Sequence, residues 1–215
     1  MSPRGAIRAL LLLILAVGCS STPVETIPRP QGGQPALIAA RFRTRPPQEA
    51  RLHGPVRAAW FVRVEEGEDP TKGGEVIRSN YWNGGIVYLL NAKPGTYAVV
   101  AIEEKSEGQL IPTYLPTDSI RTDTCEVRPG EWTLLGSYVV DQSKDIGDLD
   151  EVQLYFRAQA YPPDARRKGF YKVFGGTHEY RATKVYTNRE KSTLATQLRQ
   201  AQAELEDDGW VTPVR

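Results

Sequence analysis

Apolar and polar residues alternate along much of the chain between residues 37 and 187. The clearest case is 56–64, where Val56, Ala58 and Trp60 share one side and Arg57 and Arg63 lie on the other. Period-two alternation is typical of a half-buried strand in an antiparallel sheet. The other predicted strands are 85–90, 97–102, 120–127, 132–140, 152–160, 171–174 and 180–186. Seven or more short strands predict a mainly β fold, an antiparallel β-sandwich domain over residues 36–187.

One turn occurs twice in this region. Pro94-Gly95 and Pro129-Gly130 each precede an aromatic residue, Tyr97 or Trp132, and a predicted strand. Proline fixes φ at the first corner of a type II turn, and glycine supplies the positive φ at the second. Over about residues 55–140 this pattern resembles the carboxypeptidase-regulatory and prealbumin-like β-sandwich domains. The resemblance implies a sandwich and carries no information about a ligand.

The chain ends with a different periodicity. Thr187 and Glu190 have the spacing of a capping box, and Leu194, Leu198, Ala201 and Leu205 follow at intervals of four, three and four. This stripe predicts one C-terminal amphipathic α-helix of roughly 19 residues, which ends near Gly209 within a segment 188–215. We expect the helix to dock on the domain's own sheet. Self-association or a partner groove over 188–208 is the alternative.

The N-terminal residues have the order of an export signal. Arg4 and Arg8 precede an apolar run, Ala9–Val17, of roughly nine residues, whereas a membrane-spanning helix needs about 20. Residues 1–18 are therefore predicted to be a signal peptide, with a plain secretory signal cut near Ser20 as the alternative.

The four residues Ala16-Val17-Gly18-Cys19 resemble a bacterial lipobox. The resemblance implies that Cys19 carries a lipid on its thiol and acyl chains, typically palmitate, on its new amine. Ser20 in place of an aspartate favours the outer membrane in this family. The expected location is therefore the bacterial cell envelope, with the protein bound to a membrane through its N-terminal lipid.

Residues 19–35 contain the lipidated cysteine and a run rich in proline, serine and glycine. Pro23, Pro28, Pro30 and Pro35 interrupt it, and it holds almost no large apolar side chain. Such a composition predicts a disordered tether between the membrane and the domain.

Charge and cysteine content narrow the function classes. The chain has 27 basic and 26 acidic residues, so nothing in the balance favours nucleic-acid binding. Cys125 remains alone once Cys19 is assigned to the lipid, and we interpret it as a small buried hydrophobe.

Candidate chemistry is sparse, and we predict neither an enzyme nor a cofactor. His53 and His178 lack metal-ligand spacing, and a thiol–base pair of Cys125 with His178 has no local support. The acidic loop 141–151 contains oxygen ligands of the kind that calcium takes, but it departs from the EF-hand pattern. A solvated loop is the preferred interpretation, and no metal site is predicted.

Two functions from different classes remain. The first is a non-catalytic structural or partner-binding module at the membrane surface. The second is a ligand-binding module for envelope glycan, in which Tyr81 and Trp82 stack on sugar rings and Asn83 bonds their hydroxyls.

Overall fold

A computed structural model describes residues 26–48, 50, 54–106, 109–162 and 178–211. Four features of the sequence lie outside the described residues: the predicted signal peptide, Cys19, His53 and the strand predicted at 171–174.

Within the described residues the chain forms ten strands, three α-helices and two 3-10 turns. The strands are β1 (Leu37–Arg45), β2 (Val56–Val64), β3 (Glu75–Arg78), β4 (Tyr81–Asn83), β5 (Ile86–Leu90), β6 (Gly95–Ser106), β7 (Gln109–Tyr114), β8 (Cys125–Val127), β9 (Trp132–Ser143) and β10 (Tyr180–Asn188). The helices are α1 (Thr117–Thr122), α2 (Glu151–Ala160) and α3 (Lys191–Leu205), and the 3-10 turns are Pro70–Lys72 and Glu206–Asp208.

One mixed sheet contains all of these strands. Their order is β3-β2-β6-β7-β10-β9-β1-β5-β4, with β8 paired to β6. Most neighbours are antiparallel, but β1 runs parallel to β9 and β7 runs parallel to β10. The predicted mainly β fold with a C-terminal helix is confirmed, whereas one mixed sheet replaces the predicted antiparallel sandwich. Alternation reports only the two faces of a strand, so it does not identify the neighbouring strand or its direction.

The sheet curls until strands far apart in its order meet. Thr44 on β1 donates its hydroxyl to the Glu104 carboxylate on β6 at 2.7 Å, although three strands separate β1 from β6 in the sheet. The Gln142 amide on β9 donates to the same carboxylate at 2.6 Å and to the Thr113 hydroxyl on β7 at 2.7 Å. These polar contacts lie at one end of an apolar interior.

Two segments predicted as strands contain helices. Residues 117–122 form α1, which leaves only Cys125–Val127 as a strand, and residues 151–160 form α2. The strand predicted from the alternation of apolar residues over 152–160 is wrong. The buried side chains there are Gln153, Phe156 and Ala160, which are spaced three and four residues apart as on one face of a helix. A capping box starts α2. The Asp150 carboxylate accepts from the backbone N–H of Gln153, and the side-chain oxygen of Gln153 accepts from the backbone N–H of Asp150.

The C-terminal helix docks on the convex face of the sheet, as expected. Ala201 and Leu205 are fully buried, and Gly209 ends the following turn with φ of +86°. Ala201 and Leu205 belong to a cluster of buried apolar residues on the outer face of the sheet, which we call the outer cluster. Its members are Leu37, Ala39, Tyr81, Ile86, Tyr88, Leu90, Trp132, Ala201, Leu205 and Trp210. The predicted Thr187–Glu190 capping box is wrong. Thr187 belongs to β10, its hydroxyl donates to Asp123 at 3.1 Å, and Glu190 caps the helix without a side-chain bond.

The chain contacts the domain well before β1 begins. Ile27 packs against the outer cluster, and the Trp210 indole donates to the Pro28 carbonyl at 2.9 Å. Asn91 also bonds to this segment, accepting from the Gln31 N–H and donating to the Arg29 carbonyl. The second half of the segment expected to be a disordered tether therefore lies against the domain. In the described part of the chain no helix is both long and apolar enough to cross a membrane.

Candidate functional site

The predicted glycan site does not come together as a pair of rings. Tyr81 and Trp82 are neighbours on β4, so their side chains point to opposite faces of the sheet. Tyr81 is 8% exposed in the outer cluster beneath α3, with its ring 5.5 Å from that of Tyr88. Trp82 is partly buried against the core, and the Arg57 guanidinium lies 3.4 Å above its ring. Asn83 is exposed at the end of the strand.

A different part of the convex face is open. Leu37 and Ala39, at the start of β1, lie in the outer cluster under α3. From Arg41 onward the outward side chains of β1 and of its neighbours β9 and β10 lie beside or beyond the helix. Strand register places nine side chains of these strands side by side on this surface. We name it the arginine face, with the rows Arg41–Ser137–Asn188, Arg43–Val139–Tyr186 and Arg45–Asp141–Lys184.

Side-chain contacts confirm that these rows share one surface. The Arg45 guanidinium lies 5.5 Å from the centre of the Tyr186 ring, and the Lys184 ammonium lies 4.7 Å from it. Arg45 also approaches the Asp141 carboxylate at 3.5 Å. The alternate residue Phe42 points inward and stacks on Tyr138, with ring centres 5.0 Å apart.

Most of the arginine face is accessible to solvent. The Arg45 side chain is 64% exposed and Tyr186 is 41% exposed, and Arg43 and Lys184 are also exposed. Exposed tyrosine is amphipathic, and arginine presents a planar fork of donors that matches carboxylate geometry. The surface can therefore bind an anion through its arginines and contact a ring of the same ligand through the part of Tyr186 that its cations leave exposed.

A polar cleft continues the arginine face toward α3. It has a volume of about 290 Å³ and is lined by Arg41, Ser137, Ser192, Thr193, Thr196 and Gln197. Arg41 and Ser137 belong to both surfaces, so the cleft and the face form one continuous area. Arg41 is held across it by a hydrogen bond to the Gln200 side chain of α3. The hydroxyl groups along the helix can donate to and accept from a polar ligand.

The sequence contains a signal for this face in Arg41-Phe-Arg43-Thr-Arg45. The alternation puts three cations on one side of any strand that spans these residues. The contributions of Lys184 and Tyr186 have no such signal, because β10 reaches β1 only through β9.

Two buried carboxylates serve the fold. Glu103 is 1% exposed and accepts from the Trp60 indole at 2.7 Å and from the Arg78 guanidinium at 2.6 Å. The Tyr161 hydroxyl also donates to Glu103, and this bond holds the end of α2 against the sheet. Burial is the larger cause of a raised Tyr161 pKa, and the negative charge of Glu103 is the second cause. Glu104, on the other face of β6, is the buried acceptor that closes the curl.

The single described cysteine is poorly suited to nucleophilic chemistry. Cys125 packs against the core on β8, and burial raises the pKa of its thiol to about 12, with Arg189 opposing the shift. The thiolate is the reactive form, so almost none of it is present near neutral pH. Among the described residues no three His, Cys, Asp or Glu side chains are placed to hold a metal ion.

No model of a known protein family matches the chain, and no curated protein matches it.

Proposed function

We propose that this protein is a lipid-anchored component of the bacterial envelope whose domain binds a partner without catalysis. The leader and lipobox that end at Cys19 support the anchor. The raised pKa of the Cys125 thiol supports a non-catalytic role for the one cysteine in the domain. Ser20 after the lipidated cysteine favours the outer membrane.

The arginine face is the observation that carries the binding role. The C-terminal helix buries the apolar half of the convex sheet and leaves the half with Arg43, Arg45 and Tyr186 open. A charged side chain that serves only to keep a surface soluble does not need to be held against another side chain. Here Arg45 and Lys184 both lie against one exposed ring, which holds the cations and the ring in a defined arrangement.

The docked N-terminal segment sets the position of this face relative to the membrane. Since the chain contacts the domain from Ile27 onward, only residues 20–26 lie between it and Cys19. Seven extended residues span at most about 25 Å. β1 starts at the same end of the domain, at Leu37, and runs about 25 Å to Arg45 at ~3.3 Å per residue. The proposed anchor therefore holds the domain close to the membrane, with the far rows of the arginine face at the opposite end of β1.

The anchor is tested by exchanging each cysteine for serine in the full chain. Cys19→Ser should move the protein from the membrane fraction to the soluble fraction and abolish labelling by an alkyne-bearing fatty acid. Cys125→Ser is the matched control and should stay membrane-bound and labelled, because its thiol is packed in the domain. Continued firm attachment of the Cys19→Ser protein would contradict the proposal.

A further inference from the structure

We propose that the arginine face binds an acidic glycan, a sugar chain bearing carboxylate groups. This inference rests on the proposed function, because it names the kind of partner that the exposed face would meet in the envelope.

Positive charge is much denser on the arginine face than in the chain as a whole. The nine positions carry four cations, Arg41, Arg43, Arg45 and Lys184, and one acid, Asp141. The whole chain, in contrast, has a formal net charge of only +1. Like charges on neighbouring rows repel one another, so an anion that lies between them relieves the repulsion as well as forming ion pairs.

The spacing of the cations suits an extended polyanion. The three arginines are two residues apart on β1, which places them roughly 7 Å from one another along the strand. Lys184 lies two strands away from Arg45, at roughly 10 Å for two strand spacings. A chain with an acidic group on successive or alternate units can therefore meet several cations at once, and each guanidinium can bind a carboxylate in the bidentate manner.

Tyr186 and the polar cleft favour a sugar among the possible polyanions. Arg45 and Lys184 both lie over the Tyr186 ring, which is 41% exposed. A sugar whose carboxylate draws either cation aside can pack its C–H face on this ring. Asn188, Ser137 and the hydroxyls of Thr193 and Thr196 continue from it and match the hydroxyl groups of the same ligand.

The composition of the face disfavours a protein partner. Arginine and tyrosine are enriched in protein interfaces, but the fully buried centre of such an interface is mainly apolar. Here Val139 is the one aliphatic side chain of the nine positions, and it is half-buried. A basic surface with an aromatic ring also suits single-stranded nucleic acid, which an envelope protein would not meet as its usual partner. An oligonucleotide is therefore included in the test.

Binding is measured with the full chain in a neutral detergent, using polygalacturonate oligomers as the probe. Their carboxylates are ionised at pH 7, and the fully methyl-esterified oligomers supply the same backbone without charge. We expect binding to the acid form, at least tenfold weaker binding to the ester, and a steep loss of affinity as salt is raised.

Two pairs of matched variants locate the site. Arg43→Glu with Arg45→Glu should weaken binding about tenfold or more. The control, Lys93→Glu with Arg128→Glu, changes the net charge equally at side chains that are 65% and 68% exposed, and should leave the affinity within twofold. Tyr186→Ala should weaken binding about fivefold, whereas Tyr155→Ala, at a ring that is 40% exposed on α2, should not.

Three outcomes would overturn the inference. They are absence of binding to the acid form, equal binding to the ester, and equal effects of the two double variants. Tighter binding of a single-stranded oligonucleotide with the same residue dependence would assign the face to nucleic acid instead. The cysteine exchange stands apart from this test: release of the Cys19→Ser protein together with an inert arginine face would refute the glycan and keep the anchor.

Discussion

Several titratable side chains of the core are held in their neutral forms. Burial raises the pKa values of Cys125, Tyr97 and Tyr138 to about 12 each. Their polar atoms keep local partners: the Tyr97 hydroxyl donates to the Lys93 carbonyl at 2.8 Å, and the Arg189 guanidinium donates to Tyr138 at 3.2 Å. The folded state therefore stabilises the protonated form of each group.

We expect the protein to lose stability in alkaline solution. A pKa raised on folding contributes stability that is complete below the unfolded value and lost as pH rises through the folded value. The unfolded values are about 9 for the thiol and about 10 for the tyrosines, so the loss should begin near pH 9 and continue toward pH 12.

The thiol and the tyrosines can be separated in this measurement. In the parent protein the midpoint temperature of thermal unfolding should begin to fall near pH 9. In Cys125→Ser it should begin to fall near pH 10, because only the tyrosines then titrate. Circular dichroism melts between pH 7 and pH 11 measure both proteins. Coincident pH profiles of the two proteins would show that the thiol does not contribute.

At the scale of elements, α2 shows how two local signals compete. Apolar residues occur at every second position from Val152 to Ala160, which is the pattern of a strand. Asp150 and Gln153 form the reciprocal bonds of a capping box, and the helix then buries Phe156 against the core while Leu154 stays 45% exposed. The start signal and the buried face both have helical spacing, and they decide the element.

Truncation of Asp150, which caps α2, and of Thr187, which does not form the cap expected for α3, should therefore have unequal effects. Asp150→Ala should lower the free energy of unfolding by about 1 kcal/mol, because the first turn of α2 loses an acceptor for its N–H groups. Thr187→Ala should change it by less than about 0.5 kcal/mol, since Thr187 lies on β10 and its exposed hydroxyl donates to Asp123. Urea denaturation measures both, and equal losses would contradict the assignment.

At the scale of the molecule, the two ends of the described chain meet. Ile27 and Trp210 lie in the same outer cluster, and the indole of Trp210 bonds to the backbone beside Ile27. The segment that leads to the proposed anchor is thereby joined to the C-terminal helix.

The contribution of this contact is measured by truncating one side chain. Ile27→Ala should lower the free energy of unfolding by about 1–2 kcal/mol, because a half-buried aliphatic side chain loses its contacts. Val211→Ala is the control, since Val211 follows Trp210 but is 79% exposed, and its effect should be near zero. An Ile27 variant as stable as the parent protein would mean that the segment is not held.

The sequence by itself determined the elements whose signals are local. The strands around 56–64, 86–90 and 132–140, the Pro129-Gly130 turn and the stripe of α3 each depend on residues within a few positions of one another. The other predicted Pro-Gly turn differs, because Gly95 already begins β6 with a φ of +145°. Side-chain period and turn geometry are short-range properties, so they can be read without knowledge of neighbours.

Only the tertiary structure decided which surfaces these elements share. β1 pairs with β9 across about 95 residues, so no local pattern shows that Arg43 lies in one row with Val139 and Tyr186. Alternation along β4 is enough to place Tyr81 and Trp82 on opposite faces, but only packing shows that Tyr81 is covered by a helix more than 100 residues away. Local periodicity determines which face of a strand a side chain occupies. Packing of the whole chain determines which strands lie next to it, and a binding surface needs side chains from several adjacent strands.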